Sequence, residues 1–254
     1  MQGSYLFLTP INKLGLKIVY QLVNKVIFVN KVLYDQHNEK IKKKLCNKYE
    51  VIFNAIEIKT SIEENDILKK YSIDEDKLIV FNPARLEVEK NQIRLISAIK
   101  ILSIKHNNIL LLIAGNGSQL KSLELYIKEK NVENHVRLLN VISRADVFKL
   151  YDKSRVFVMP SISEGLSTAF LEALQRNMKI VVSDIEQFTY PLLKNNLNIK
   201  DLNINLVDQF SEEDIANGIE QMLYSDIKQI PKFFPFTLNI MLLEYSKVYK
   251  SLLD

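Results

Sequence analysis

Cysteine is nearly absent: Cys46 stands alone in 254 residues, so no internal disulfide or cysteine-rich zinc site can form, and nothing points to an oxidising compartment. Long apolar runs are absent as well. None approaches the ~18 to 20 residues that a membrane-crossing helix needs, and the start "MQGSYLFLTPINKLGLKIVY" has no basic residue before its apolar stretch, which Thr9-Pro10 breaks too early for a secretion signal. A dominant charge is missing too. The 34 basic residues face 30 acidic ones for a net charge of +4, too even to make nucleic acid the expected partner, and there is no P-loop and no basic stripe interleaved with aromatics. With 47% hydrophobic and 25% charged residues, the composition is that of a globular cytoplasmic protein, soluble or peripheral to a membrane.

From about Leu14 onward, strand-like apolar runs alternate with helical periods, which predicts α/β layers with a mainly parallel sheet. A short first unit reads as strand 26–29, helix 31–45 and strand 49–53. A polar stretch, "NAIEIKTSIEENDILKKYSIDEDK", follows as a connection with a short helical patch before Tyr71. The rhythm then resumes with strands 78–81, 109–113, 135–139, 155–159 and 179–183. Between them lie helices 91–105, 119–130, 144–153 and 168–176. The end is less regular: a weak strand region over 195–207, a helix over 211–224 opened by "SEED", and a last helix over 237–253. The whole predicts a doubly wound parallel sheet preceded by a βαβ fragment.

The segment "SISEGLSTAFLEAL" sets Glu164 and Glu172 eight positions apart. If a helix runs from about Gly165 through Glu172, ~1.5 Å per residue separates the carboxylates by about 12 Å. Glycosidase pairs sit ~5 to 9.5 Å apart, so a hydrolytic pair is not indicated. The spacing suits two hydroxyl-rich ends of one extended ligand. The amides of Gly165, Leu166 and Ser167 at the helix start would then face an anionic middle such as phosphate. Each residue also has a plain structural reading. Glu172 alone would be a solvated helix residue, Glu164 a complement to the helix dipole, and Gly165 a turn glycine.

Other signals are weaker. "IDED" (73–76) resembles a D-x-D metal site but precedes a strand instead of ending one, and reads as a turn. "AGNGSQL" lacks the third glycine and the ribose-binding acid of a nicotinamide site. Lys40, Lys42, Lys43, Lys44 and Lys48 form a basic cluster that reads as a solvated face, with an anionic membrane surface as the other reading.

With those residues in view, "PSISEGLSTAFLEAL" resembles the E-x7-E signature of the glycosyl transferases group 1 family, the family 4 retaining glycosyltransferases of GT-B fold. "ARLEVEKNQIRLISAI", "LLIAGNGSQLKSL" and "VRLLNVISRADVFKLYDKSRVFVMPS" are similar to its preceding segments in order and spacing. "FNAIEI" and "YSKVYKSLL" are similar to the turn before its donor domain and to its closing helix. The resemblance covers about residues 24 to 253. It implies a Rossmann-like C-terminal donor domain over 59–234, a remnant of the N-terminal acceptor domain over 1–58, and a crossover helix over 235–254. It implies that Arg85 and Lys90 contact the diphosphate of a UDP- or GDP-sugar in place of a metal, with no other cofactor. Glu164 would bind hydroxyls of the donor sugar, and the amides of Gly165, Leu166 and Ser167 the phosphates. Glu172 would accept the ribose hydroxyls, Val141 and Ile142 would lie near the base, and Gly115 and Gly117 would shape or contact the donor site. Retention in the family is explained by same-face attack, which requires no protein nucleophile.

The chain departs from the family pattern at several glycines, replaced by Ala55, Ala84, Asn140 and Asn177. Asparagine tolerates left-handed backbone best among non-glycines, so Asn140 and Asn177 can fill such turns, Ala55 less easily. Most of the acceptor half has no counterpart here, and His37, His106 and His135 all read as structural or solvated. Three arrangements follow: a donor half of a surface-polysaccharide glycosyltransferase working with a separate acceptor-binding chain, a nucleotide-sugar-binding module without catalysis, or an inactive relic. An exposed apolar edge around Val26 to Val29 is expected where the rest of a sheet would lie.

Overall fold

The structure is a computed structural model that describes residues 9–57, 66–228 and 234–253. Two parallel sheets organise it. The smaller pairs β1 (Val26–Phe28) with β2 (Tyr49–Val51). The larger has six parallel strands: β3 (Leu78–Pro83), β4 (Ile109–Ala114), β5 (Val136–Asn140), β6 (Val156–Met159), β7 (Lys179–Ser183) and β8 (Ile204–Val207), in the order β5-β4-β3-β6-β7-β8. The Rossmann-like, doubly wound class expected from the sequence is what is observed.

The central strands are buried on both faces because their side chains alternate between two cores. Phe81, Leu110, Leu112, Phe157 and Val182 point to one core, while Val80, Leu111, Ile113, Val158 and Val181 point to the other. The second is closed by α5 (Gln92–Ser103), α6 (Leu120–Glu129) and α10 (Glu212–Tyr224) through Leu95, Ile99, Ile127, Ile215 and Ile219. The first is closed by α7 (Arg144–Lys153), α8 (Thr168–Gln175) and α9 (Glu186–Lys194), with the short α4 (Ile67–Lys70). Ser143 and Ser211 cap α7 and α10 by accepting from the amides of Asp146 and Asp214, each at 3.1 Å. The last helix, α11 (Leu238–Lys250), buries none of its residues fully.

Four local readings need correction. Helix 31–45 is two helices, α2 (Lys31–Asp35) and α3 (Glu39–Leu45), because Asn38 caps a new start through the amide of Ile41. Thr9-Pro10 does not merely interrupt an apolar run but opens a helix, α1 (Pro10–Leu22), with Thr9 accepting from the Asn12 amide and proline in the first turn. Helix α9 is unannounced in the sequence because Pro191 lies inside it. The edge at Val26 to Val29 is half-buried, with Phe28 packed among Tyr20, Tyr34 and Tyr49; the exposed apolar stripe lies on α1 instead, at Ile11, Leu14, Ile18 and Leu22. Asn140 and Asn177 do occupy left-handed backbone, at φ 56° and 54°, whereas Ala55 has ordinary φ.

Candidate functional site

In a sheet of this order the chain leaves β3 toward β4 on one side while β6 joins on the other, so the switch point lies between β3 and β6. Ligand crevices form beyond the carboxyl ends of strands at such a point. The segments emerging there carry Arg85 after β3 and Glu164 after β6.

After β3, Lys90 closes a single 3-10 turn (Val88–Lys90), and Asn91 takes left-handed backbone at φ 61° before α5 begins. Lys90 therefore precedes the helix. Asn91 is held by its amide group, which donates to the carbonyls of Pro160 (2.9 Å) and Gln209 (2.7 Å), tying this turn to the segments after β6 and β8. The result is a close ion pair between Lys90 Nζ and Glu164 Oε1 at 2.7 Å, with the side chains 12% and 6% exposed. Ser161, fully buried, donates to the same carboxylate oxygen at 2.8 Å and is itself anchored by Ser183, which donates to the Ser161 carbonyl. Arg85 is more open and pairs with Glu89 at 3.0 Å.

The helix bearing Glu172 starts at Thr168, where the 168–176 reading placed it and three residues later than the Gly165 start on which the carboxylate spacing was reckoned, with Ser167 as its cap accepting from the Phe170 amide at 3.3 Å. The 12 Å helical separation therefore does not apply, since Glu164 lies outside the helix. The amides of Gly165, Leu166 and Ser167 are not its first turn. They are loop amides, and they donate no hydrogen bond to any described residue. The carbonyls of Gly165 and Leu166, by contrast, are taken by Asn30 (3.2 Å) and Asn54 (2.8 Å) from the N-terminal unit. Gly165 faces Val29 and Leu33 with room for a Cβ at ordinary contact distance.

Glu172 is not solvated: its side chain is 2% exposed. Arg144 grips both of its oxygens, Nη1 donating to Oε2 at 3.3 Å and Nη2 closely to Oε1, and the Tyr151 hydroxyl also lies 3.2 Å from Oε2. Burial, and then the Glu172 charge, push the Tyr151 phenol well above its ordinary pKa, so it remains a donor. Arg144 and Tyr151 were not singled out from the sequence. Their spacing of seven, with Phe148 between, put them on one face of α7 and was the available signal. The Arg144 guanidinium lies 4.7 Å from the centroid of the Phe148 ring.

Gly115 and Gly117 serve the backbone. A Cβ at Gly115 would lie 2.0 Å from the Ala84 carbonyl oxygen, with φ at +152°, and one at Gly117 would lie 2.2 Å from that of Leu86. Only glycine lets the turn after β4 close on the segment carrying Arg85. Val141 is exposed and Ile142 half-buried, both in the turn between β5 and α7 and directly ahead of Arg144. Ser163 is buried, and its hydroxyl finds no partner among the described residues. A separate cleft is lined by Asn91, Gln92, Arg94, Gln119 and Ile162, neighbours of Lys90 but not Lys90 or Glu164 themselves.

The histidines stand apart from this region. His37 is buried in the break between α2 and α3, at 3.1 Å from the Tyr20 hydroxyl. His106 pairs with Glu220, and His135 bonds the Ile109 carbonyl. "IDED" forms a turn before β3, as read from the sequence.

Fold and site together define a class: a Rossmann-like unit that gathers cations, carboxylates and free amides at the switch point of a parallel sheet. Residues 63–230 match the family described as glycosyl transferases group 1, and the chain belongs to that family. It is 32% identical over 177 residues to an uncharacterized glycosyltransferase of Methanocaldococcus jannaschii, covering 67% of this chain and 43% of that one. It is 27% identical to the O-antigen chain mannosyltransferase RfbU of Salmonella typhimurium, covering 63% of this chain and 49% of that one. The chain thus spans less than half the length of these curated relatives. Among solved structures, Anabaena HepE in complex with UDP-glucose superposes with a TM-score of 0.75 at 17% identity, covering 94% of this chain and 67% of that one. That likeness is one of fold, the GT-B architecture.

Proposed function

We propose that the chain is the donor half of a retaining glycosyltransferase, binding a UDP- or GDP-sugar for transfer to a saccharide or lipid-linked acceptor in surface polysaccharide synthesis. The observation that carries this reading is the buried Lys90–Glu164 pair set beside the unpaired amides of Gly165 to Ser167. A cation held by a carboxylate and a row of free donors suit a diphosphate whose charge grows as the sugar leaves. Lys90 and Arg85 would neutralise that charge, and Glu164 would steady Lys90 while its remaining acceptor sites bind sugar hydroxyls. Glu172 would take the ribose diol, with Val141 and Ile142 beside the base. The proposed boundaries are 1–58 for the acceptor-side unit, 59–234 for the donor domain and 235–254 for the crossover helix.

The exposed apolar side chains of α1, and those of α11 at Leu242 and Leu243, suit cover by an acceptor-binding unit. We place the protein in the cytoplasm. No helix among the described residues is long and apolar enough to cross a membrane, and Lys40, Lys43 and Lys44 on α3 are exposed, as peripheral contact with an acidic inner membrane would need. Salt-dependent pelleting with acidic liposomes tests that contact, and no pelleting removes it.

The test of the main reading is thermal unfolding with UDP, GDP and their sugars, on wild type and on K90A and E172A. Saturation at a hundred times Kd adds about 2.7 kcal/mol, which the variants should lose in large part. A cooperative wild-type melt that no nucleotide shifts would leave a family scaffold without donor binding, the second reading.

A further inference from the structure

The Glu172 carboxylate is already in use, and the count of its acceptor sites matters. A carboxylate offers about four lone-pair sites. Arg144 takes two of them and Tyr151, sharing its proton with the Ala169 carbonyl at 3.1 Å, takes a third. One remains, whereas a ribose diol needs two. The exposures are also unequal: Arg144 is 63% exposed and Glu172 2%, so the guanidinium covers the carboxylate from the solvent side. Arg144 stands at the first position of α7, where the helix dipole disfavours a cation, and the carboxylate opposite is what holds it there.

We propose that Arg144 is a displaceable latch on Glu172, a positioning residue that sets how strongly the site discriminates ribose from deoxyribose. This rests on the nucleotide-sugar reading above. Without nucleotide the fork keeps the buried carboxylate hydrogen-bonded. A nucleotide carrying both ribose hydroxyls must break one arginine bond to seat the second hydroxyl. A 2′-deoxynucleotide needs only the acceptor site that is already open. The wild type therefore gains little from the 2′-hydroxyl, because the new bond replaces an old one. Without Arg144 the 2′-hydroxyl makes a bond to an otherwise underused carboxylate. The side chain's exposure keeps the cost of release small, since solvent takes up the freed guanidinium.

The experiment is calorimetric titration of wild type, R144A and R144K with UDP and 2′-deoxy-UDP, and with GDP and 2′-deoxy-GDP. For whichever base binds, the wild-type Kd ratio of deoxy to ribo form should be roughly threefold or less. It should rise to about tenfold or more in R144A, as one hydrogen bond to a charged group adds. R144K, with a point charge in place of a fork, should lie between. If R144A loses its cooperative melt, R144K carries the comparison. A variant that merely loosened the fold would weaken both nucleotides alike and leave the ratio unchanged, which overturns the latch while nucleotide binding stands. A ratio that falls in R144A, marking Arg144 as a direct ligand of the nucleotide, also overturns it. Absence of binding to any of the four nucleotides by the wild type removes the donor-site reading itself, and the latch with it.

Discussion

Replacing Lys90 with methionine keeps most of the side-chain volume and removes the charge that pairs with Glu164. The structure sets the size of the effect. Removing one partner of a buried ion pair costs about 3 to 5 kcal/mol, because the other charge is left desolvated. Lys90 is 12% exposed and Ser161 still donates to the carboxylate at 2.8 Å, so the lower end applies, about 3 kcal/mol. For a chain of this size about 1 kcal/mol moves Tm by ~2 to 4 °C, so K90M should melt roughly 6 to 12 °C below wild type. E164Q should cost less, about 1 to 2 kcal/mol, since glutamine can still accept from Ser161 and Lys90 can turn its ammonium toward solvent. The double variant K90M/E164Q buries no unpaired charge and should be less destabilised than the sum of the singles by about 1.5 kcal/mol or more. Urea unfolding of all four proteins yields the coupling energy directly. A K90M protein within about 0.5 kcal/mol of wild type, or singles that add within that margin, refutes a desolvated pair. The proposed diphosphate would then meet a lysine that nothing holds in place.

Gly165 and Gly115 predict opposite responses to alanine. G115A meets the Ala84 carbonyl at 2.0 Å in a glycine-only conformation and should lose more than about 2 kcal/mol of stability, whereas G165A has room and should melt within about 1 °C of wild type or slightly above it; if phosphates approach this backbone, G165A still weakens UDP binding in the same titration. Asn140 holds left-handed backbone at the exposed last position of β5, so N140G should leave stability unchanged or raise it by up to about 1 kcal/mol and N140A should lower it by a similar amount, read by thermal melts. Burial pushes the His37 pKa below its ordinary 6.5, so the folded chain holds this proton less readily than the unfolded one. Its contribution to stability is therefore complete above pH 6.5 and declines as pH falls toward the depressed folded value; Tm measured from pH 7.5 to 5.5 should fall more steeply for wild type than for H37N, and equal slopes would contradict a buried neutral imidazole.

The sheet was legible because burial on both faces writes itself as unbroken apolar runs such as Ile109 to Ile113, and because Ser143 and Ser211 announce their helices by capping chemistry. Asn140 and Asn177 were legible for the same kind of reason, a backbone requirement that few residue types meet. Helix α9 was hidden by Pro191, and the start of α1 by reading Thr9-Pro10 as a break when it is equally a helix opening. At the site, Glu164 and Glu172 stood out by type and spacing, and Arg85 and Lys90 through the family resemblance. Their partners did not. The burial of Glu172 and its hold by Arg144 and Tyr151 are products of how α7 packs on α8, which no local pattern encodes.

The direction in which the free amides point is set at long range too. A trans peptide is planar, so the carbonyl of Gly165 and the N–H of Leu166 point opposite ways, as do the carbonyl of Leu166 and the N–H of Ser167. Asn30 and Asn54 hold those two carbonyls toward the N-terminal unit, which turns the amides of Leu166 and Ser167 away from it. Asn30 is fully buried, and its amide group also donates to the Gln187 carbonyl at 3.0 Å, while its Oδ1 accepts from Val32 at 3.1 Å. It is fixed on every side and cannot follow the loop if the loop turns. The N-terminal unit thus reaches the proposed donor site through backbone orientation. N54A, which frees only the Leu166 carbonyl, should cost about 1 kcal/mol of stability but weaken UDP binding several-fold, by letting the Leu166–Ser167 peptide rotate. Affinity that survives N54A intact would mean that the loop keeps its orientation unaided, and that the asparagines hold the two sheets together and do nothing more.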